Sequence, residues 1–295
     1  MGKTIIMADS TCDLSKELIE KYQIEIIPLC IIMDDKSYFD GVDTTAEEII
    51  AWSNEKKTTP KTSAASIEVT MDALKPHKEA GDDVIFIGIS EDMSTTCNVI
   101  RLAAQDLEYD RVFVINSMNL STGIGLQVLR AAEMRDAGKS AEDIYEEING
   151  ARDKVRASFV LDQLVFLSRG GRCNAVTALL ANALKLKPRI EVKMGKMGVG
   201  TKYRGKMQKV LISYVDDMKE DLLKADKTRV FVTYCSMDHD LVQPVVDYLK
   251  ELNYFDEILE TQAGNIRKKH LLPKTRKTPI YERFLSKKPT DILML

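Results

Sequence analysis

Hydrophobic and polar positions follow two different patterns along this chain. In the first half, short apolar runs at 4–8, 24–33, 84–89 and 112–115 predict β-strands. The last two are almost continuous in Val, Ile and Phe, as expected of strands covered on both faces. Helical stretches separate them: Thr45 and Glu48 have the spacing of a capping box, and Ser140 with Asp143 marks another helix start. Strands alternating with helices predict a doubly wound, mostly parallel sheet with right-handed crossovers.

The second half is patterned differently. Strands are predicted at 158–161, 189–192, 230–233 and 257–262, with helices at 208–223 and 241–252 and a turn at 168–172. Residues 175–184 are apolar at eight of ten positions, all round the helix they predict. Such a helix is either buried on every side or lines an apolar cavity. A division near Gly150 predicts an N-terminal domain over 1–150 and a second α/β domain over 151–295, the latter with a basic tail from about 265. At 295 residues the chain has the length of two domains.

Charge changes the picture at one place. The net charge is −3, which suggests no nucleic-acid partner. Residues 266–288, however, hold nine Lys or Arg and one Glu, a net +8, leaving about −11 for the remainder. A mobile solvated tail and a contact with anionic membrane surface are both open readings. No apolar run approaches the ~20 residues of a membrane span, and the N-terminus reaches Asp9 too early for a signal peptide. Five dispersed cysteines without a C-x-x-C pair argue against disulfides or a zinc site and for the cytoplasm.

Signatures of catalysis are sparse. Gly123-Ile124-Gly125 lacks the third glycine of a dinucleotide fingerprint. There is no P-loop, no nucleophile elbow and no metalloprotease motif, and Asp238-His239-Asp240 reads as a capped loop rather than a metal site. No cofactor and no metal are expected. What recurs is a set of hydroxyls after the predicted strands: Ser10-Thr11, Ser90 with Ser94-Thr95-Thr96, and Ser117 with Ser121-Thr122. Thr58-Thr59, Thr62-Ser63 and Ser66 precede a helix. Such loops gather at the carboxyl edge of a parallel sheet, where ligands bind. Helix capping by the same residues is the competing reading. Lys61 is the single cation among them, so a carboxyl head suits the loops better than a polyanionic phosphate.

Those segments carry a resemblance. Ala8-Asp9-Ser10-Thr11-Cys12-Asp13-Leu14, Lys61-Thr62-Ser63-Ala64-Ala65-Ser66 and Ile89-Ser90-Glu91-Asp92-Met93-Ser94-Thr95-Thr96 resemble the DegV family, in order and spacing. So do residues 117–125 and Phe166-Leu167-Ser168-Arg169-Gly170-Gly171-Arg172. The resemblance implies a bacterial fatty-acid-binding protein of two α/β domains, with the acyl chain buried between them. It implies a carrier rather than an enzyme, presenting the carboxyl to a separate fatty acid kinase that makes an acyl phosphate for phospholipid synthesis. Thr62, Ser63 and Ser94 would contact the carboxyl, and Arg169 would lie at the tunnel mouth and serve kinase docking. The family usually ends in Ala-Gly, then His-Cys-Gly-Pro and a last short strand. Here Ala263-Gly264, His270 and Pro273 match, but Leu271-Leu272 replace Cys-Gly and a long basic stretch takes the strand's place. His270 would then meet the carboxyl as well. Two alternatives are a Ser94/His270-dependent acyl hydrolase or transferase, without a nucleophile elbow, and a regulatory module binding anionic membrane.

Overall fold

The computed structural model describes residues 2–162, 164–180, 186–235, 239–263 and 292–294. The chain opens with β1 (Thr4–Asp9), α1 (Lys16–Lys21), β2 (Ile24–Ile27), β3 (Cys30–Met33) and β4 (Lys36–Phe39). It continues with α2 (Ala46–Lys56), β5 (Lys61–Ser63), α3 (Ile67–Ala80), β6 (Asp83–Gly88) and α4 (Thr96–Asp106). β7 (Val112–Asn116), α5 (Thr122–Asp136) and α6 (Ala141–Ala151) complete the first half. Strands β2-β1-β6-β7 form one sheet, parallel throughout. Alternation along β1 and β6 sends Ile6, Ala8, Ile85 and Ile87 to the face covered by Val128 and Ile144. Met7, Val84 and Phe86 go to the other face, against Leu74 and Ile100. All of these side chains are essentially inaccessible, as the double winding requires.

The apolar run 24–33 is not one strand but two. Pro28 has no N–H to give a ladder, and the chain turns there. β3 leaves the parallel sheet and joins β4 and β5 in a small antiparallel sheet of order β4-β3-β5. Asp34 and Asp35, both at positive φ, make the two-residue turn between β3 and β4. The expected capping box is present: Thr45 Oγ1 accepts from Glu48 N, and Glu48 Oε2 accepts from Thr45 N at 2.8 Å. Ser140 caps α6 through Asp143 N at 3.1 Å.

The second half contains β8 (Ala157–Leu161), α7 (Val165–Gly170), α8 (Asn174–Leu180), β9 (Leu186–Lys193), β10 (Lys196–Arg204) and α9 (Met207–Asp217). α10 (Lys219–Leu222), β11 (Arg229–Cys235), α11 (His239–Leu252), β12 (Glu257–Gln262) and β13 (Ile292–Met294) follow. The second sheet runs β10-β9-β8-β13-β11-β12 and is mixed, with only β11 and β12 parallel. Three expectations change here. The helix at 208–223 is two helices meeting at Met218, and Ser168 to Gly170 are the last turn of α7 rather than a turn. The closing strand, which the sequence reading replaced by the basic stretch, follows that stretch: Leu293 pairs with Val160 on one side and Tyr234 on the other.

The two halves share a wide contact. Phe231 of β11 packs into the core made by Ile6, Ile85 and Val128 of the first half. Thr122 and Thr233 hydroxyls meet at 2.7 Å in a fully buried setting, and Thr233 reaches Thr261 at 3.1 Å. Arg229 pairs with Glu133 of α5 and, at 3.1 Å, with Glu257 of β12.

Candidate functional site

A cleft of about 640 Å³ opens where the carboxyl ends of β1 and β6, the small sheet and the second sheet meet. That volume falls within the ~300–1,000 Å³ usual for small-molecule sites. Leu29, Ile31 and Ala64 line it from the small sheet, Ile89, Met93 and Leu120 from the loops of the parallel sheet, and Met197 from β10. The polar lining is Thr11, Asp40, Thr62, Ser63, Glu91, Asp92, Ser94, Thr95 and Arg172. A smaller space of about 510 Å³ adjoins it, sharing Asp92, Met93, Arg172 and Met197 and adding Gly170, Gly171, Asn174, Ala175 and Lys196.

The small sheet explains why Thr62 faces the cleft. Thr62 pairs with Ile31 and Ser63 with Cys30. Paired residues share a face and neighbours alternate, so Thr62 stands beside buried Ile31, with Leu29 two residues away on the same side. Ser63 also borders the cleft, but it donates its hydroxyl to Ala64 O at 3.2 Å. Ser94 comes from the loop between β6 and α4. Its Oγ lies 2.8 Å from Thr96 Oγ1 and accepts from Thr96 N at 3.3 Å, which fixes the turn leading into α4. The structure thus brings Thr62, Ser63 and Ser94 to one cleft.

Arg169 is exposed on the last turn of α7 and is not part of the lining; Arg172, three residues on, is. Its Nε approaches Met93 O at 3.5 Å and its Nη1 donates to Gly170 O at 2.5 Å. His270 lies outside the described residues, so the pairing that an acyl hydrolase would need falls outside them as well. In α8, Val176 is buried with Phe159 and Ile190, while Ala175 borders the smaller space. Residues 181–185 of the predicted apolar helix are outside the described residues.

Most of the hydroxyl pattern serves the fold. Ser10, Ser90, Thr96, Ser117, Ser121 and Thr122 are buried. Ser10 Oγ accepts from Leu29 N at 3.2 Å and therefore donates to Asp40 Oδ2, 2.7 Å away. Sequence reasoning missed Asp40 because it follows an exposed strand and looks like a turn residue. Burial pushes its carboxyl up from the usual value, against the Ser10 hydrogen bond. Asp9, fully buried behind it, is pushed up chiefly by burial; hydrogen bonds from Thr11 and Ile89 oppose this, and the Asp40 charge adds to it. Cys97 is inert, its thiol pushed up to about 12 mainly by burial. Among the described residues no group of three His, Cys, Asp or Glu could hold a metal ion, and no helix is long and apolar enough to cross a membrane.

The family profile described as "Uncharacterised protein, DegV family" matches residues 3–275. The chain belongs to the DegV family. A DegV domain-containing protein of Clostridium perfringens is 35% identical over 255 residues, covering 86% of this chain and 90% of that protein. Among solved structures, a DegV family protein from Thermus thermophilus, described by its fatty acid binding, superposes with a TM-score of 0.81 at 25% identity. That match covers 99% of this chain and 98% of the other. A stearic-acid-binding protein from Eubacterium ventriosum superposes with a TM-score of 0.75 at 26% identity, over 100% of this chain and 97% of the other. The α/β fold with a parallel first sheet and a second α/β unit is therefore the family's fold.

Proposed function

We propose that this DegV-family chain binds one long-chain fatty acid in the cleft between its two halves, as a carrier rather than an enzyme. The observation that carries this reading is the composition of the cleft: an apolar lining from three separate elements, with neutral hydroxyls of Thr62 and Ser94 at its polar side. Full-length similarity to proteins described as binding fatty acids supports it. Burial of some fourteen methylenes supplies on the order of 11 kcal/mol gross, at about 0.8 kcal/mol each. A hydrogen bond to a charged carboxylate adds about 1.5–3 kcal/mol. The lining thus supplies affinity and the hydroxyls decide which end of the ligand stays near the surface. Organic extraction of purified protein followed by mass spectrometry should release intact fatty acid at about one per chain. Protein that emerges empty and fails to bind a fluorescent fatty acid at micromolar levels would overturn the reading.

The finer reading is that Thr62, Ser94 and His270, with Ser63 alongside, hold the carboxyl for a separate fatty acid kinase, which docks near Arg169 and makes an acyl phosphate for phospholipid synthesis. The segment 266–288 would steer the carrier to anionic lipid, each Lys or Arg near such a surface contributing about 1 kcal/mol. Because β13 follows that segment and sits in the centre of the second sheet, truncation is a poor test of it. Replacing its Lys and Arg by Gln keeps the strand. Co-sedimentation with anionic liposomes at low salt should then be lost, whereas unchanged sedimentation removes the membrane role.

A further inference from the structure

The turn between β9 and β10 packs against the first half of the molecule through Gly195, with Met194 exposed at its tip. Met194 and Gly195 form it, both at positive φ, with Lys193 and Lys196 paired across it. Ser90, wholly buried, donates its hydroxyl to Gly195 O at 2.7 Å. Ser90 Oγ also accepts from Asp92 N at 3.3 Å, and Lys196 pairs with Asp92 at 3.4 Å. The fit is tight: a Cβ on Gly195 would lie 2.6 Å from Ser90 Oγ and 3.1 Å from Asp92 Oδ2. Glycine is required here both for its φ of +80° and for this approach.

The loop held by this turn carries Met93 and Ser94 into the cleft, and Met197, just past the turn, lines the cleft from the other side. Contact between the halves is therefore of two kinds. On the α5–β11 side it is wide and includes Phe231 in the opposite core. Beside the turn it joins the polar contacts of Ser90, Asp92 and Lys196 to an apolar cluster in which Met93 and Leu120 of the first half meet Val192 and Met197 of the second.

We propose that the Met194–Gly195 turn is a clasp that positions the Ser94 loop at the cleft and so slows loss of the cleft's contents. The effect on the cleft's contents rests on the ligand-binding reading, while the positioning stands on the turn's own contacts. Gly195→Ala introduces the clash. Gly138→Ala supplies the control, since Gly138 has a φ of +79° with nothing within 4 Å of the added Cβ. Two measurements decide: amide hydrogen exchange over residues 90–95, and release of a fluorescent long-chain fatty acid chased with excess oleate.

Gly195→Ala and Ser90→Ala should each speed both by about tenfold, the equivalent of one buried hydrogen bond. Gly138→Ala should leave both at wild-type values. Ser90→Ala/Gly195→Ala should be no worse than Gly195→Ala, because the oxygen that the Cβ meets is gone. Unchanged exchange over 90–95 in Gly195→Ala and Ser90→Ala overturns the clasp, as does equal acceleration by Gly138→Ala. If wild-type protein binds no fatty acid, the proposed function falls, and hydrogen exchange alone still decides whether the turn positions the loop.

Discussion

Thr62 and Ser63 are neighbours in sequence that both border the cleft but differ in what their hydroxyls do. Thr62 shares a face with Ile31 in the cleft, while Ser63 pairs with Cys30 and spends its hydroxyl on Ala64 O. Thr62→Ala should therefore weaken fatty acid binding by about 10- to 100-fold, the loss of one charge-assisted hydrogen bond. Ser63→Ala should remain near wild type, because its hydroxyl is engaged by Ala64 O; titration with a fluorescent fatty acid separates the two, and equal effects would contradict this division. Asp40 gives a pH dependence whose sign follows from burial. Its carboxyl is pushed above the usual 3.8, so the folded state holds the proton more tightly than the unfolded chain. Its contribution to stability is complete below the ordinary carboxylate value and is lost as pH rises through the raised one. Asn at this position can still accept from Ser10. Asp40→Asn should accordingly have a higher urea midpoint than wild type at pH 7, with the difference vanishing near pH 3. Asp9 behaves differently. Its two oxygens accept from Thr11 N at 3.0 Å and Ile89 N at 2.7 Å, so either orientation of an Asn amide sets N–H against N–H. Asp9→Asn should cost about 1–3 kcal/mol of stability, measured by the same denaturation.

Among the elements, β13 has the largest effect for its length. It is three residues long, yet it is the only described strand joining β8 to β11. Leu293 pairs with neighbours on both sides, and proline there supplies no N–H to a central ladder. Leu293→Pro should lower the thermal midpoint and expose the edges of β8 and β11, with aggregation on heating as the visible result. Light scattering during a thermal ramp checks this; behaviour like wild type would mean the strand contributes little. The sequence pattern missed the element because three residues carry too little periodicity to register. It missed β10 for a related reason, since Gly198 and Gly200 interrupt the alternation there. The run at 24–33 was read as one strand because hydrophobicity continues across Pro28, whereas backbone hydrogen bonding does not.

At the scale of the molecule, the two halves are joined along α5 and β11 and separated by the cleft. A ligand that binds only the folded protein stabilises it by mass action, by about 2.7 kcal/mol at a hundred times its dissociation constant. Added long-chain fatty acid should therefore raise the thermal midpoint of delipidated protein, and a short-chain acid at equal concentration should not, having too few methylenes to bury. Calorimetry of delipidated protein with each acid makes the comparison.

Much of this was legible in the chain. The near-continuous apolar run at 84–89 specifies a strand buried on both faces, whereas the similar run at 112–115 forms the edge strand β7 and is only partly buried. The motif segments around Thr62 and Ser94 identify the family, and the capping residues Thr45 and Ser140 place helix starts through purely local hydrogen bonds. Tertiary structure alone decided which hydroxyls face the cleft. Ser10, Ser90 and Thr122 look like Thr62 in sequence, but each finds its partner 19 to 111 residues away. Long-range pairing of this kind leaves no local signature, since it depends on how the strands and halves come together. The same holds for Asp40, whose burial comes from the docking of the small sheet against the end of β1. It holds too for Gly195, whose tight fit exists only once a turn of one half has packed against the other.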